Sequence, residues 1–437
     1  METTTTPTNS ARPRSRRRAY RAAALPVAAL MLAAGMTACS TSSSGSGSGS
    51  GTAAAGGKSF TIWDPYPQFD NSSAWVTLLD SCGSQAGVTV KRTAYDTTDL
   101  TSKVLLAAQQ GVAPDVLILD NPVVSTLAEA GVLTDTTQNH LDTSAVQPNL
   151  LGAGEFQGKT YGVPIGANTL ALYYNKNILK AAGVDPSTIT DWSTLTAALA
   201  KVKAAGKTGI TFSAIGTEEG SFQFEPWFWG SGANLTKLDS AQGVAALGLW
   251  SGWLKDGYAP NSVINDTQTT SWQEFAAGKT AFAENGTWQL SNAAKAGFPY
   301  GIIPIPAENG GAAPVPTGGE FVTLPQQSDS SRYATSEKLV SCLTNAANAF
   351  TTDSTLSYVA AAGAVQAKQV AANPALQVWV TAVHAGKART GDDLGTNYPK
   401  ISQQLWTAVQ SALTGSASPA SALGTAQSAA ASATGGK

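Results

Sequence analysis

The sequence predicts an α/β fold that contains parallel β-sheet. Three short β-rich runs, SFTIW (59–63), VTVKRTA (88–94) and DVLIL (115–119), alternate with helical patterns over residues 73–84 and 98–110. Such an alternation favours parallel strands joined by crossover helices. The chain of 437 residues is also long enough for two or three domains, each with its own hydrophobic core.

Further along the chain, the same patterns predict more elements of both kinds. Residues 170–175, 279–283 and 319–324 are predicted strands. Residues 193–205, 241–255 and 271–278 are predicted helices, as is most of the chain beyond residue 330. Trp192, Trp250, Trp253 and Trp379 fall in helical stretches, and we expect them to pack in cores.

The composition and charge exclude several classes of protein. With 43% hydrophobic and 13% charged residues, the chain is too apolar to be disordered. The first 38 residues hold six arginines and one glutamate, and the remainder carries 21 basic and 28 acidic side chains. An acidic chain without a basic stripe is poorly suited to bind nucleic acid or anionic lipid.

Residues 1–38 have the organisation of a secretory signal peptide. An arginine-rich start precedes 17 residues of apolar character (22–38), and Cys39 follows. Met36-Thr37-Ala38-Cys39 resembles a lipobox, so we expect acylation of Cys39; an ordinary signal peptide or an uncleaved anchor is the alternative. Residues 39–57 would then form the lipidated start and a flexible Gly/Ser tether. The expected location is the outer face of the cell membrane of a Gram-positive bacterium, reached by Sec or Tat export.

Two cysteines remain once Cys39 is assigned to lipidation. An oxidising compartment permits a disulfide between Cys82 and Cys342. Two buried free thiols are the alternative, because pairing depends on geometry that a sequence does not supply.

Motifs for covalent chemistry are missing from the sequence. Four Gly-Lys-Ser/Thr tripeptides lack the upstream glycine of a phosphate loop, and neither G-x-S-x-G nor H-E-x-x-H occurs. The two histidines, His140 and His384, are isolated in the sequence, so a histidine-based catalytic triad or zinc site is not expected. We therefore expect no catalytic residue, no metal and no cofactor.

The order of motifs in the chain resembles extracellular solute-binding protein family 1, the sugar-binding lipoproteins of ABC importers that are related to maltose-binding protein. The segments that carry the resemblance are APDVLILD (113–120), YGVPIGANTLALYYNKNILKAAGV (161–184), DWSTLTAALAKV (191–202), FEPWFWGSGANL (224–235), FAAGKTAFAENGTWQL (275–290), YGIIPIP (300–306), GGEFVTLP (318–325) and residues 389–423. The resemblance implies a two-lobe periplasmic-binding-protein-like fold of class II, with parallel-sheet lobes joined by a hinge that the chain crosses three times.

The resemblance also implies a division of the chain and a function. The first lobe would comprise residues 58–165 plus 307–350, and the second residues 166–306 plus 351–437; Cys82 and Cys342 would then lie on helices of one lobe. The protein would be a monomer that captures a mono- or oligosaccharide between closing lobes and delivers it to the membrane permease of an ABC importer, without catalysis.

A sugar site needs flat apolar platforms for C–H faces, and donors and acceptors for the hydroxyl rim. Residues of these types stand at strand ends and in the matching motifs: Trp63, Asp64, Tyr66, Asp96, Asp120, Asn121, Asn168, Glu225, Trp227, Asn285, Trp288, Glu320 and Arg389. Among them, the resemblance implies sugar contacts for Glu225-Pro226-Trp227 and for the Asn285-Gly286-x-Trp288 loop, and Asn168 stands where relatives have an acid. The alternative role of Asp64, Asp120 and Glu320 is a helix cap or a hinge salt bridge.

Two rival functions are consistent with the same residues. Acids and aromatic rings could also form a cage for a polyamine or another cationic solute in the same fold. A secreted glycoside hydrolase would likewise use aromatic platforms and paired carboxylates in a cleft.

Overall fold

The structure, a computed structural model, describes residues 58–392 and 394–435, with the side chains of Thr97 and Thr98 left out. The predicted signal peptide, Cys39 and the tether lie outside these residues. The strands are β1 (Ser59–Asp64), β2 (Thr89–Ala94), β3 (Val116–Asp120), β4 (Glu155–Phe156), β5 (Lys159–Thr160), β6 (Val163–Pro164), β7 (Leu170–Asn175), β8 (Thr208–Thr211), β9 (Thr280–Gly286), β10 (Tyr300–Ile303), β11 (Pro316–Thr317), β12 (Glu320–Thr323) and β13 (Lys387–Ala388).

Helices account for most of the remaining described chain. They are α1 (Ala74–Ala86), α2 (Thr97–Gln109), α3 (Asn121–Glu129), α4 (Pro148–Leu151), α5 (Lys176–Ala181), α6 (Trp192–Ala204), α7 (Glu218–Gly230), α8 (Ala241–Lys255), α9 (Gln268–Ala276), α10 (Leu290–Ala293), α11 (Tyr333–Thr344), α12 (Ala346–Leu356), α13 (Gly363–Ala372), α14 (Gln377–His384), α15 (Tyr398–Leu413) and α16 (Pro419–Thr434). In this part of the chain, no helix combines the length and the apolar character needed to cross a membrane.

The first sheet has the strand order β2-β1-β3-β12-β6. Strand β1 pairs in parallel with β2 and β3, and α1 and α2 form the predicted crossovers. Strand β12 comes from far along the chain and runs antiparallel to both β3 and β6. This sheet and the helices that cover it form the first lobe.

The second sheet has the order β10-β7-β9-β8. Only β8 and β9 are parallel, whereas β7 is antiparallel to both of its neighbours. The prediction of parallel-sheet lobes is thus corrected to two mixed sheets, because strands that join a sheet from distant parts of the chain need not follow the crossover rule. The second sheet and its helices form the second lobe.

Three chain crossings connect the lobes, and backbone hydrogen bonds tie them together. Ala167 exchanges two hydrogen bonds with Val359, at N–O distances of 2.7 and 2.8 Å, and Asn168 does the same with Gly318, at 3.1 and 2.9 Å. At the neighbouring Gly319, φ is +112° and a Cβ would overlap the Gly166 carbonyl oxygen, so only glycine fits there. The hinge is therefore a small bundle of extended segments.

The two hydrophobic cores place the crossings differently from the sequence prediction. Ala313 and Val315 pack in the core of the second lobe, although residues 307–350 were assigned to the first. Leu356 and Tyr358 pack in the core of the first lobe, beyond the predicted end at residue 350. The chain therefore changes lobes after Val315 and again after α12.

Trp192, Trp250, Trp253 and Trp379 are all buried in cores, which confirms their predicted packing role. In the first lobe, Cys82 on α1 and Cys342 on α11 form a disulfide, with their Cα atoms 5.7 Å apart. The pairing joins two helices of one lobe, as the resemblance implied.

Candidate functional site

The carboxyl end of the first sheet lies at the boundary with the second lobe, and we call this boundary the cleft. Because β12 runs antiparallel to β3, Glu320 at its start lies beside Asp120 at the end of β3. Asp120 also caps α3, since its Oδ1 accepts the backbone N–H of Asn121 at 2.9 Å. A strand end, a helix start and an antiparallel strand start therefore meet at one place.

Arg389 connects this edge of the first sheet to the second lobe. Its Nη2 donates to Asp120 Oδ1 at 2.8 Å and to Asn121 Oδ1 at 3.0 Å, and its Nη1 donates to Glu218 Oε1 on α7 at 2.8 Å. The guanidinium lies 4.9 Å from the ring centre of Phe222. The side chain is only 3% exposed, so its position is determined by partners from both lobes.

The charge of Arg389 is stabilised by these acids. Burial by itself lowers the pKa of a guanidinium, but the negative charge around it, with Asp120 as the largest contributor, raises the pKa of Arg389 above its usual value. Arg389 therefore stays protonated in a nearly dry position.

Glu225 and Tyr398 form a second polar layer beneath Arg389. The Tyr398 hydroxyl hydrogen bonds to Glu218 Oε1 and lies 2.8 Å from Glu225 Oε1. Burial, followed by the nearby Glu218, raises the pKa of Glu225 well above its usual value. One hydroxyl proton cannot serve two carboxylates, and the raised pKa of Glu225 favours a proton on that group. Its Oε2 has no hydrogen-bond partner among the described residues.

An aromatic surface adjoins the charged groups. The half-buried indole of Trp288 and the ring of Phe222 have centroids 6.3 Å apart, and Arg389 lies over the same Phe222 ring. A Cβ at Gly286 would overlap the six-membered ring of Trp288, which shows why glycine precedes this tryptophan by two positions. Trp288 thus lies against the end of β9 with part of its ring exposed.

Glu320 lies in a mostly apolar position next to two tyrosines. Its Oε2 accepts hydrogen bonds from the hydroxyls of Tyr66 at 2.9 Å and Tyr358 at 2.6 Å. Burial, followed by the charge of Asp120, raises the pKa of Glu320 to about 7. Tyr66 therefore contacts this edge of the first sheet through its hydrogen bond to the Glu320 carboxyl group.

We expect the free energy of unfolding to fall less in Glu320→Gln than in the unmodified protein when the pH is raised from 5 to 8. A carboxyl whose folded pKa is about 7, against 4.5 in the unfolded chain, keeps its proton only in the folded state between about pH 5 and pH 7 and loses it in both states by pH 8. Stability therefore falls as pH rises, by roughly 2–3 kcal/mol for this one group, and glutamine removes that contribution. Urea denaturation at both pH values measures the difference. The exposed Glu129, changed to Gln, is the control, and an unchanged pH dependence in Glu320→Gln would contradict the assignment.

Three of the predicted ligand contacts have structural roles in this structure. Asp64 is fully buried, accepts from Arg92 Nη2 at 2.8 Å and from Trp75 Nε1 at 3.0 Å, and also holds the Tyr66 N–H. Asn285 is fully buried as well. Its amide is satisfied within the lobe, because Nδ2 donates to the Gln268 carbonyl and Oδ1 accepts the Gly286 N–H. Asp64 matches the alternative of a salt bridge, although within one lobe.

Trp227 is the third correction. It lies on α7, it is 0% exposed, and its Nε1 donates to Glu284 at 2.8 Å. Its ring packs edge-on against Trp253 at a centroid distance of 5.0 Å. Since no face of the indole is open, Trp227 belongs to the core of the second lobe and offers no platform.

The other predicted residues, Trp63, Asp96 and Asn168, make contacts that do not involve Arg389 itself. Trp63, at the end of β1, is half-buried and packs edge-on against Tyr95 at 5.1 Å. Asp96 is exposed and precedes α2 without capping it through its side chain. Asn168 lies at the first crossing, with its Oδ1 where a Cβ of Gly318 would be.

Four residues of the cluster were not predicted: Glu218, Phe222, Tyr358 and Tyr398. Two of them, Glu218 and Phe222, lie on α7. This helix was not predicted, because Pro226 and Gly230 favour a loop by local preference. The available signal was Thr217 followed by Glu218 and Glu219, which is a typical helix start with acids in the first turn.

Two α/β lobes, three crossings and a cleft with polar and aromatic side chains from both lobes define a class of protein that encloses a solute between hinged lobes. Residues 77–378 match the family described as bacterial extracellular solute-binding protein. The chain belongs to this family, whose members act outside the cytoplasm.

Individual relatives are similar over part of their length. A Brucella abortus (strain 2308) protein named "Putative binding protein" is 29% identical over 192 residues, which are 42% of this chain and 45% of the relative, so the match spans less than half of that protein. The maltodextrin-binding protein of Bacillus subtilis (strain 168) is 25% identical over 321 residues, 67% of this chain and 69% of the relative. A maltooligosaccharide ABC transporter solute-binding lipoprotein of Streptococcus pneumoniae (strain R6) is 28% identical over 258 residues, 55% and 59% of the two chains.

Solved structures share the fold over nearly their whole length. The GacH receptor of Streptomyces glaucescens, described unliganded and with acarbose, gives a TM-score of 0.73 at 24% identity, over 86% of this chain and 98% of that one. UgpB of Mycobacterium tuberculosis, in complex with glycerophosphocholine, gives a TM-score of 0.74 at 24% identity, over 86% and 98%.

Proposed function

We propose that this protein captures a carbohydrate between its lobes and delivers it to an ABC-type importer. The observation that carries the proposal is the half-buried ring of Trp288, which packs against the buried Phe222 next to Asp120, Glu218 and Arg389. A sugar has C–H faces that stack on aromatic rings and a rim of hydroxyls that bond to carboxylates and guanidinium groups. The proposal is supported by relatives described as maltodextrin- and maltooligosaccharide-binding proteins.

The capture involves no covalent chemistry. The acids of the cluster are engaged with Arg389, Tyr398 and one another, and their arrangement supports binding of a neutral polyol. A ligand that contacts both lobes stabilises the closed arrangement only by its extra affinity for that arrangement. The closed lobes would then present a surface to the permease.

We further propose that Cys39 carries a lipid anchor and that residues 40–57 act as a tether, so that a monomeric receptor is retained at the outer face of the membrane. The sequence around Cys39 supports this, as does the relative described as a lipoprotein. Radiolabelled fatty acid incorporated by the protein, and lost in Cys39→Ala, tests the anchor.

Thermal-shift screening of the purified protein against mono- and oligosaccharides tests the substrate class. A ligand at 100 times its dissociation constant adds about 2.7 kcal/mol to stability, which produces a clear shift of the melting temperature. Binding of a hit that weakens steeply with added salt would instead indicate a cationic solute, because electrostatic attraction is screened and sugar binding is not. Release of product from an aryl glycoside by the pure protein would contradict the non-enzymatic role.

We expect Trp288→Ala to weaken carbohydrate binding by roughly 1–4 kcal/mol, the usual loss for an aromatic residue at the centre of an interface. The substitution removes the exposed ring against which a sugar would stack, and leaves the Arg389 cluster in place. Isothermal titration calorimetry measures the change in affinity. Tyr258→Ala is the matched control, because Tyr258 is a half-buried aromatic in contact with Lys203 of the second lobe. Equal affinities of Trp288→Ala and Tyr258→Ala would refute the role of Trp288.

A further inference from the structure

A cavity of about 370 Å³ lies beside the hinge. Its walls come from α10 and β10 of the second lobe, from α12, which packs in the first lobe, and from α13. Among the residues described around Arg389 and Glu320, Tyr358 alone is one of its lining residues. Tyr358 is the link between the two sites, since its ring lines this cavity and its hydroxyl donates to Glu320.

Asp353 of α12 lines the cavity with an unpaired carboxyl group. The residue is 0% exposed, and neither Oδ1 nor Oδ2 has a hydrogen-bond partner among the described residues. The carboxyl also lies against the hinge, because a Cβ at Gly166 would overlap Oδ1. A buried carboxyl without a partner is costly, and such groups are rare in folded proteins.

The remaining lining residues indicate what could pair with Asp353. Tyr300, Phe350 and Tyr358 contribute aromatic rings, and Ser354 and Ser357 contribute hydroxyls. No lysine, arginine or histidine is among these lining residues, so the described part of the chain supplies no counter-ion there. A carboxylate within an aromatic wall is the combination that recognises organic ammonium groups, by charge pairing and cation–π attraction.

We propose that this hinge cavity binds a small organic ammonium ion, with Asp353 as its counter-ion. The bound cation supplies the charge partner that the described residues do not provide, and its alkyl groups contact the rings of Tyr300, Phe350 and Tyr358. Burial raises the pKa of Asp353, and a cation bound beside the carboxyl would oppose that shift. The site is separate from the cleft and does not depend on which solute the cleft takes.

Choline chloride and its neutral isostere 3,3-dimethyl-1-butanol are the probes for this site. The two molecules share a shape and differ in charge, so isothermal titration of each into the unmodified protein isolates the charge contribution without any substitution. We expect choline to bind saturably, with one site per chain, and roughly tenfold or more tighter than the isostere. Choline that gives no saturable binding, or that binds no tighter than the isostere, would overturn the proposal.

Two variants locate the binding. Asp353→Asn keeps the shape and removes the charge, so we expect choline affinity to fall to that of the isostere, whereas Trp288→Ala in the cleft should bind choline as the unmodified protein does. Loss of choline binding in Trp288→Ala with retention in Asp353→Asn would overturn the proposal, because the cation would then occupy the cleft. Sodium chloride at equal concentration is the control for ionic strength. A failure of the choline experiment leaves the carbohydrate result unaffected, so the two proposals are tested separately.

Discussion

Replacing Arg389 by Met is expected to destabilise the protein by roughly 3 kcal/mol and to open the lobes of the ligand-free form. Methionine keeps much of the apolar stem but leaves Asp120 and Glu218 close together without the cation between them. Removing one partner of a buried ion pair typically costs 3–5 kcal/mol, and the lower end applies because these carboxylates are 19% and 36% exposed. Urea denaturation measures the stability, and small-angle X-ray scattering measures the radius of gyration, which should increase.

Lys387→Met is the matched control for this prediction. Lys387 lies two residues earlier on the same segment and pairs with Asp392, but both side chains are about one-third exposed. Exposed pairs contribute about 0–1 kcal/mol, so the control should change stability little and leave the radius of gyration unchanged. A similar loss in both variants, or an unchanged radius in Arg389→Met, would contradict the bridging role of Arg389.

Removal of the disulfide is expected to destabilise the first lobe by roughly 2–5 kcal/mol. The bond between Cys82 and Cys342 closes a loop with a sequence separation of 260 residues, so in the chain-entropy account it restricts the unfolded chain strongly. The double variant Cys82→Ser with Cys342→Ser should therefore unfold at lower urea concentration. Its carbohydrate affinity should be unchanged, because neither helix contributes a side chain to the Arg389 cluster.

A reducing agent provides the control for the cysteine variant. Reduction should lower the stability of the unmodified protein towards that of the double variant and should leave the double variant itself unaffected. An unmodified protein that keeps its stability under full reduction of the bond, shown by thiol labelling, would contradict the expected contribution.

Local patterns were sufficient for much of the fold. The strand over 170–175 and the helix over 241–255 have the predicted bounds, β1 and β2 differ by one residue at one end, and β3 differs by one residue at each end. These segments are long or strongly patterned, and their burial agrees with their local preference. By contrast, β8 and β10 have four residues each and were not predicted, because a run of that length carries little periodicity.

The candidate site was predicted less completely, and α7 shows why. Pro226 and Gly230 favour a loop by local preference, yet the buried face of this helix packs against β9 through Trp227 and Glu284. Burial of large aromatic side chains outweighs the local cost of a proline within a helix. The same packing buries the ring of Trp227, so that it cannot stack on a ligand. It also brings Glu218 and Phe222 of this helix into contact with Arg389.

Residue type also could not separate a binding acid from a structural one. Asp64 and Asp120 both end parallel strands of one sheet, but Arg92 lies next to Asp64 on the adjacent strand and neutralises it within the lobe. Asp120 instead meets Arg389, which is 269 residues away in the chain. The difference depends on a long-range partner, which no local pattern contains.

The sequence by itself determined the class of fold, the order of most elements and the family, because these follow from hydrophobic periodicity and from motifs that recur in order along the chain. Only the tertiary structure decided which aromatic rings are exposed, which acids are paired and where the chain changes lobes. These properties arise from contacts between residues far apart in the chain, and the free energy of such contacts depends on burial and distance rather than on residue type.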